Sequence, residues 1–366
     1  MSICVSSLWV YNFRSFAEYE LVLGEAVNVL VGRNAAGKTN LVECLQLLTS
    51  GQSFRKPSPR DLVRQGVDSC RASCTLEGEG RLLEMGLTVS AGRRAFTRNG
   101  KKVTAAGIRG VLPSVLFCPD HLDMVKRSAS VRRAALDDFG VQLNEQYARL
   151  LATYERTVEQ RNNLLKEPYV DRGLLAAWDE SIATTGAALT AHRISLLARI
   201  RDHAALVYAA IAPGEHLGIA YSSSVYGDEP MRGDAPSRDE VRERFLRSLD
   251  ERRDEELRRG VTLSGPHRDE VLFTIDGRDA RAFASQGQQR SVVLAWKIAE
   301  VAVTRDILGR PPLLLLDDVM SELDASRRES IVRFIEDGMQ TVITTTNLGY
   351  FSDSVLSGAR VVEIGE

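Results

Sequence analysis

The hydrophobic and polar positions of this chain fall into three textures. Residues 3–13 alternate loosely, and residues 26–31 form a compact apolar run closed by Gly32, so both predict strands. Leu41, Leu45 and Leu48 then recur at helical spacing, which predicts a helix over 39–48. Residues 71–76, 82–89 and 95–103 read as further strands. Gly78-Glu79-Gly80, Ala91-Gly92 and Asn99-Gly100 supply hairpin punctuation among them.

From about residue 128 the pattern changes to long helices with few breakers: 130–166, ended by Pro168, then about 174–211, ended by Pro213. At 1.5 Å per residue such helices reach on the order of 55 Å, so a projecting arm is expected. A polar stretch with Gly and Pro, 226–236, leads to a third helix over 237–259, whose dense mixed charge marks a solvated face. From Val261 short strands and helices return. The expected architecture is an α/β domain made from both chain ends, residues 1–127 plus 260–366, with a helical insertion over 128–259. No repeat of fixed period and no low-complexity segment interrupts it.

Composition narrows the classes. With 44% hydrophobic and 26% charged residues in 366, the chain can bury a full core and is not a disordered tail. A net charge of −2 argues against a protein that grips nucleic acid over its whole surface. Yet residues 1–135 carry 19 Lys/Arg against 11 Asp/Glu, while the remainder carries 28 against 38, so a local basic patch has room to exist. Only Cys70 and Cys74 of the five cysteines lie close together, with no neighbouring His, so no zinc site or disulfide framework is readable. Residues 1–16 set Arg14 after polar Ser6, Ser7 and Asn12, and no run approaches the roughly 18 apolar residues of a membrane span. The expectation is a cytoplasmic protein with no membrane partner.

Gly32-Arg33-Asn34-Ala35-Ala36-Gly37-Lys38-Thr39 fits G-x-x-x-x-G-K-[ST], after a buried strand and before an amphipathic helix that Asn40 continues. In such a loop glycines let the backbone wrap phosphates, Lys38 reaches the β and γ oxygens, and Thr39 holds Mg²⁺. Far downstream, residues 311–318 form an apolar strand ending in Asp317 and Asp318. A parallel α/β sheet places its ligands at such a strand end. Asp317 is the candidate Mg²⁺ ligand and Asp318 the group that orients attacking water. Ser285-Gln286-Gly287-Gln288 opens a helix one element earlier and resembles the signature sequence of ABC-type ATPases. There the signature of one protomer meets the γ-phosphate held by another, so ATP joins a dimer. Ser321-Glu322-Leu323-Asp324 resembles the loop that crosses that interface. Thr346 or Asn347 stands where related ATPases carry a switch His. Asp318 is one methylene shorter than the Glu of transporters, which predicts slow hydrolysis.

With these pieces assembled, the chain resembles the RecF family, recombination mediators in the SMC-like branch of the ABC ATPases, over nearly its whole length. Further markers are Tyr11-Asn12-Phe13-Arg14-Ser15-Phe16, Ser53-Phe54-Arg55 and Leu263-Ser264-Gly265-Pro266-His267-Arg268-Asp269. The resemblance implies an ABC-type P-loop ATPase head with an inserted helical arm, using ATP and Mg²⁺ in a weak, DNA-stimulated hydrolysis. It further implies an ATP-dependent homodimer on double-stranded and gapped DNA, acting with RecR and indirectly with RecA, near the nucleoid. His267 and Arg268 match the motif, and a Gly-Pro turn with solvated charges is expected there. Gln65 is a candidate Q-loop residue, with ordinary surface as the alternative.

The DNA reading also has a charge argument, since residues 51–135 carry 16 Lys/Arg against 7 Asp/Glu. Arg55 and Lys56, then Arg93, Arg94, Lys101 and Lys102 around a predicted hairpin, are the candidate phosphate contacts. The competing class is the nucleotide-binding subunit of an ABC transporter. The 246 positions from Thr39 to Ser285 and the atypical carboxylate and switch positions argue against it.

Overall fold

Strands from both ends of the chain meet in one parallel sheet. The computed structural model describes residues 3–78, 80–227, 231, 236–335 and 338–365. It divides into two units, Met1–Leu122 with Lys297–Glu366, and Asp123–Trp296.

The first unit begins with β1 (Cys4–Phe13), β2 (Phe16–Val22), β3 (Val27–Val31) and α1 (Lys38–Ser50). Then come β4 (Ser69–Gly78), β5 (Arg81–Ser90), β6 (Arg93–Arg98), β7 (Lys101–Val103), α2 (Ala105–Ile108) and β8 (Ser114–Phe117). The C-terminal end adds β12 (Leu313–Asp317), α10 (Ala325–Ile335), β13 (Thr341–Thr345), α11 (Asp353–Ser357) and β14 (Arg360–Glu363). The parallel sheet runs β14-β3-β13-β12-β8. Every residue of β12 and β13 is buried, which is why both read as continuous apolar or β-branched runs. The antiparallel sheet runs β2-β1-β4-β5-β6-β7. Leu8, Val10, Cys74, Met85, Leu87 and Phe96 of that sheet share one core with Leu41, Leu45 and Leu48 of α1. Ala91-Gly92 and Asn99-Gly100 turn its hairpins with positive φ at both positions. Glu79, in the remaining predicted turn, lies outside the described residues.

The second unit holds α3 (Ala129–Leu143), α4 (Glu145–Leu164), α5 (Arg172–Ile211), β9 (Leu217–Ser222), α6 (Arg238–Glu251) and α7 (Arg253–Arg259). It continues with β10 (Glu270–Ile275), β11 (Arg278–Asp279), α8 (Ala280–Phe283) and α9 (Gln286–Leu308), and the division between units falls inside α9. The helix expected over 130–166 is two helices. Asn144 breaks it by accepting hydrogen bonds from the Gln146 and Tyr147 amides as a cap. The third expected helix also divides, at Arg252. Part of the polar stretch before it, residues 228–230 and 232–235, lies outside the described residues.

Both boundaries of the inserted unit differ from the expectation: residues 123–127 and, the larger difference, 260–296 belong to the helical unit rather than to the ATPase lobe. The cause of the larger difference is pairing: β10 runs antiparallel to β9 along its whole length, from Glu270↔Ser222 to Ile275↔Leu217. Among the described residues no helix is long and apolar enough to cross a membrane.

Candidate functional site

The phosphate loop connects β3 to α1 under tight steric limits. A Cβ at Gly32 would lie 2.4 Å from the Ile364 carbonyl oxygen, and one at Gly37 would lie 2.6 Å from the Phe16 ring. Gly37 also adopts φ 96°, so no other residue serves there without strain. α1 starts without a side-chain cap and without an acidic residue in its first turn. The Asn40 and Leu41 amides donate to the Gly37 carbonyl, which leaves those of Lys38 and Thr39 for an external anion. Lys38 is buried and curls over the loop, donating to the carbonyl oxygens of Gly32 and Arg33 at 2.7 and 2.8 Å. Burial lowers its pKa, while the charges of Asp318 and Asp317 pull the other way. Within the loop, Ala35 holds a left-handed backbone (φ 68°).

The carboxylates arrive on β12. Since β13 lies between β3 and β12, the loop and the acids flank the C-terminal end of one shared strand. Thr344 on β13 fills that gap. Its hydroxyl donates to Asp317 Oδ1 at 2.8 Å and accepts from the Asp318 amide at 2.9 Å. Thr39 Oγ1 donates to the same Asp317 oxygen at 2.9 Å. Burial raises the pKa of Asp317, opposed by those two hydroxyls. Burial likewise raises Asp318, opposed by the Lys38 charge. Asp318 has a left-handed backbone (φ 52°), and its buried Oδ1 has no hydrogen-bond partner among the described residues. A hydroxyl beside a fixed carboxylate, with a second carboxylate nearby that keeps one oxygen free, suits Mg²⁺ and water at a phosphate chain.

Two sequence markers prove to be buttresses of this loop. Arg14 and Ser15 form the turn between β1 and β2, where Ser15 Oγ accepts from Asn40 Nδ2 at 3.0 Å. Arg14 grips Glu43 of α1 through two hydrogen bonds, 3.0 and 2.8 Å. Ser53 donates to the same fully buried carboxylate at 2.6 Å, and Arg55 approaches it at 3.4 Å. Sequence reading missed Glu43 because an acid amid leucines carries no motif. Its signal was that an acid on a buried helix face needs a cation.

The other predicted residues separate. Ser285 caps α9: its hydroxyl accepts from the Gln288 amide, and Gln288 Oε1 accepts from the Ser285 amide. Gln288 also donates to Glu215. With Gln286 and Gly287, these residues lie in the second unit. Ser321 donates to the Asp318 carbonyl at 2.9 Å. Asp324 accepts from the Arg327 amide and pairs with its guanidinium. Thr346 is exposed beyond β13, whereas Asn347 Oδ1 is taken by the Gly349 amide in its own turn. Gln65 sits in an exposed turn, at no strand end of the parallel sheet. The segment that does leave the parallel sheet beside β12 is the one after β8, starting at Cys118.

The Gly-Pro turn is there, closed by the Arg268 amide on the Gly265 carbonyl, and Arg268 is exposed as expected; His267 is not solvated, which corrects that part of the expectation. His267 is largely buried, with Nδ1 at 2.8 Å from the Tyr154 hydroxyl and Nε2 at 3.1 Å from the Thr262 carbonyl. Arg268 donates to that carbonyl too. Around them Arg161 pairs with Asp179 and Glu256, and Arg193 pairs with Asp137. Arg268 apart, the motif packs against the buried polar centre of the second unit.

Among the basic candidates, Arg55 is tied to Asn40 and Glu43. Arg94 donates to the Pro57 carbonyl. Strand register sends Arg94, Arg98 and Lys101 to the face shared by Phe96, and Arg93 and Lys102 to the opposite face. Lys56 is exposed with φ 47°.

Residues 4–363 match the family described as the RecF/RecN/SMC N terminal domain. The chain is 40% identical over 349 residues to the DNA replication and repair protein RecF of Symbiobacterium thermophilum, covering 94% of this chain and 92% of that one. It is 37% identical over 367 residues to the protein of that name from a Cyanothece species, covering 98% and 96%. A solved structure of the recombination mediator protein RecF-ATP in the RecFOR pathway has a TM-score of 0.88 at 30% identity, covering 96% of this chain and 93% of that one. An Smc head bound to the C-winged helix domain of ScpA, with a TM-score of 0.57 at 14% identity and coverage of 98% and 93%, shares the fold alone. The similarity runs through both units and not merely through the phosphate loop and acidic strand, so the chain belongs to the RecF family within the RecF/RecN/SMC group.

Proposed function

We propose that this protein is an ATP-gated DNA-binding ATPase of recombinational repair and replication restart. The observation that carries the reading is the joint of Thr39, Asp317 and Thr344, which ties the phosphate loop to the acidic strand through one carboxylate oxygen. When bound there, Mg²⁺ would offset the charge of the β- and γ-phosphates. Thr39 and Asp317 would hold it. Lys38 would exchange its two loop carbonyls for phosphate oxygens, and the unpartnered Asp318 oxygen would accept a hydrogen bond from the attacking water.

ATP binding would draw two protomers together, the loop of one meeting Ser285, Gln286, Gly287 and Gln288 of the other. Ser321, Asp324 and Thr346 would lie along that contact. Slow hydrolysis would release it, a population shift driven by differential affinity. DNA would bind at duplex to single-strand boundaries, with RecR helping to load RecA. The basic rim that fits this role combines Lys56, Arg60 and Arg64 with Arg94, Arg98 and Lys101. Support comes from the Arg94 bond to Pro57, and from Arg60 Nε, 3.6 Å from where a Gly92 Cβ would stand. The protein would act in the cytoplasm at the nucleoid.

The test is fluorescence anisotropy of a gapped duplex with ATP, with ADP and without nucleotide, alongside light scattering. Tighter binding with ATP and a mass near twice 40.4 kDa is expected. Monomeric binding indifferent to nucleotide would remove the gating reading. Lys38→Ala should then lose the ATP-induced mass change while keeping its fold.

A further inference from the structure

On the second unit, the turn over residues 224–227 and one wall of α6 border an open cavity of about 230 Å³. Tyr226, Arg244, Arg247, Ser248, Glu251 and Arg252 line it. Arg244, Arg247, Ser248 and Glu251 stand at i, i+3, i+4 and i+7, so a single helix face supplies most of the wall. Arg244 is already oriented: its guanidinium lies 5.7 Å over the Tyr226 ring, and its Nε donates to the Val225 carbonyl at 3.4 Å. Arg247 and Arg252 have no side-chain acceptor among the described residues. The one acid in the lining, Glu251, makes no ion pair with any of the three arginines there.

Three guanidinium groups therefore converge on a concave, polar space with one carboxylate among them. Glu240, Glu243 and Glu251 stand one turn from Arg244 and Arg247 along α6, yet none of them pairs with these arginines among the described residues, so the guanidinium forks stay available to an external anion. Guanidinium forks match the oxygens of a phosphate group geometrically as well as in charge. Burial, and after it the Glu240 charge, push the Tyr226 phenol up, while Arg244 and Arg247 pull it down. We propose that this cavity is a second phosphate-binding site, distinct from the loop at the head of α1. It takes the phosphate of a nucleic-acid backbone or of a free polyphosphate.

Hydrogen exchange read by mass spectrometry on the full chain separates these sources. Three arms at matched ionic strength contain chloride, pyrophosphate or a single-stranded oligonucleotide. Slowed exchange over 224–227 and α6 is expected with pyrophosphate if free phosphate is the ligand, and with the oligonucleotide alone if the backbone is. The double variant Arg247→Gln/Arg252→Gln, which alters two exposed side chains with no hydrogen bond or ion pair among the described residues, should abolish that protection. Peptides of α1 respond to pyrophosphate at the phosphate loop in the same spectra, so failure of the cavity is distinguishable from failure of the nucleotide reading. For a backbone ligand, the double variant should also flatten the log–log salt dependence of binding by about 1.4, at roughly 0.7 per single-strand phosphate. Protection no greater than in chloride in both other arms, or protection unchanged in the variant, would overturn the site.

Discussion

Thr344 has one hydroxyl proton and gives it to Asp317, while its oxygen takes the amide proton of Asp318. Thr344→Val preserves the shape and removes both bonds, leaving a backbone amide near the acids unsatisfied. The expected cost is about 1–3 kcal/mol of stability, with ATP hydrolysis down at least tenfold, roughly the effect of misplacing one catalytic group. Thr344→Ser should retain both. Thermal melts and a phosphate-release assay on the pair decide the matter, and equal activity in the valine variant would refute the role. The sequence displayed the run Thr344-Thr345-Thr346-Asn347, but the sensing role was read onto its last two members. What elevates Thr344 is register, Asp317↔Thr344 across parallel strands, and no spacing within one strand reveals its partner's offset. By contrast Gly32, Gly37, Lys38 and Thr39 were legible, because their chemistry is local to one turn.

At the scale of elements, β6 and β7 show why a basic cluster in sequence is not a basic surface. Alternation divides Arg93 and Lys102 from Arg98 and Lys101, and Arg94 is committed to Pro57. If DNA follows the rim near residues 52–66, Arg98→Glu/Lys101→Glu should weaken binding to a gapped duplex at least tenfold. Arg93→Glu/Lys102→Glu should change it less than twofold. Anisotropy at two salt concentrations measures both, and the reverse ranking would place DNA on the opposite face. Helix breaks were partly legible too. Asn144 followed by Glu145 is a cap signal inside a helical run, and the leucines around it concealed the break. The pairing of β10 with β9 was not legible, because their partners are separated by two helices in sequence.

For the whole molecule, stability is tied to pH through His267. Its Nε2 proton is directed at Thr262, its Nδ1 accepts from Tyr154, and burial lowers its pKa from the usual 6.5 to about 4. The unfolded chain therefore binds this proton more readily than the folded one. The stability contributed by neutral His267 is complete above about pH 6.5 and is lost as pH falls toward about 4, on the order of 3 kcal/mol in all. Denaturant unfolding between pH 7 and 5 should show that slope, and His267→Gln should remove its share of it. A slope identical in both proteins would contradict the assignment. Only the identity of this motif was legible in sequence; its burial depends on Arg161, Arg193 and their acids, contributed by helices far from it along the chain.

The neighbours of β3 set an order in time. Both strands that flank it, β13 and β14, come from the last residues of the chain, and Gly32 packs against the carbonyl of Ile364. A ribosome therefore finishes the phosphate loop long before it makes the walls that shape it. Such pairing across the full chain length is slow to close. Until residues 341–364 emerge, β3 lacks both of its sheet partners and Gly32 lacks the carbonyl it packs against. The phosphate loop, though local in sequence, is therefore framed only when the chain is nearly all made, and a chain cut before residue 341 would lack both strands that hold it.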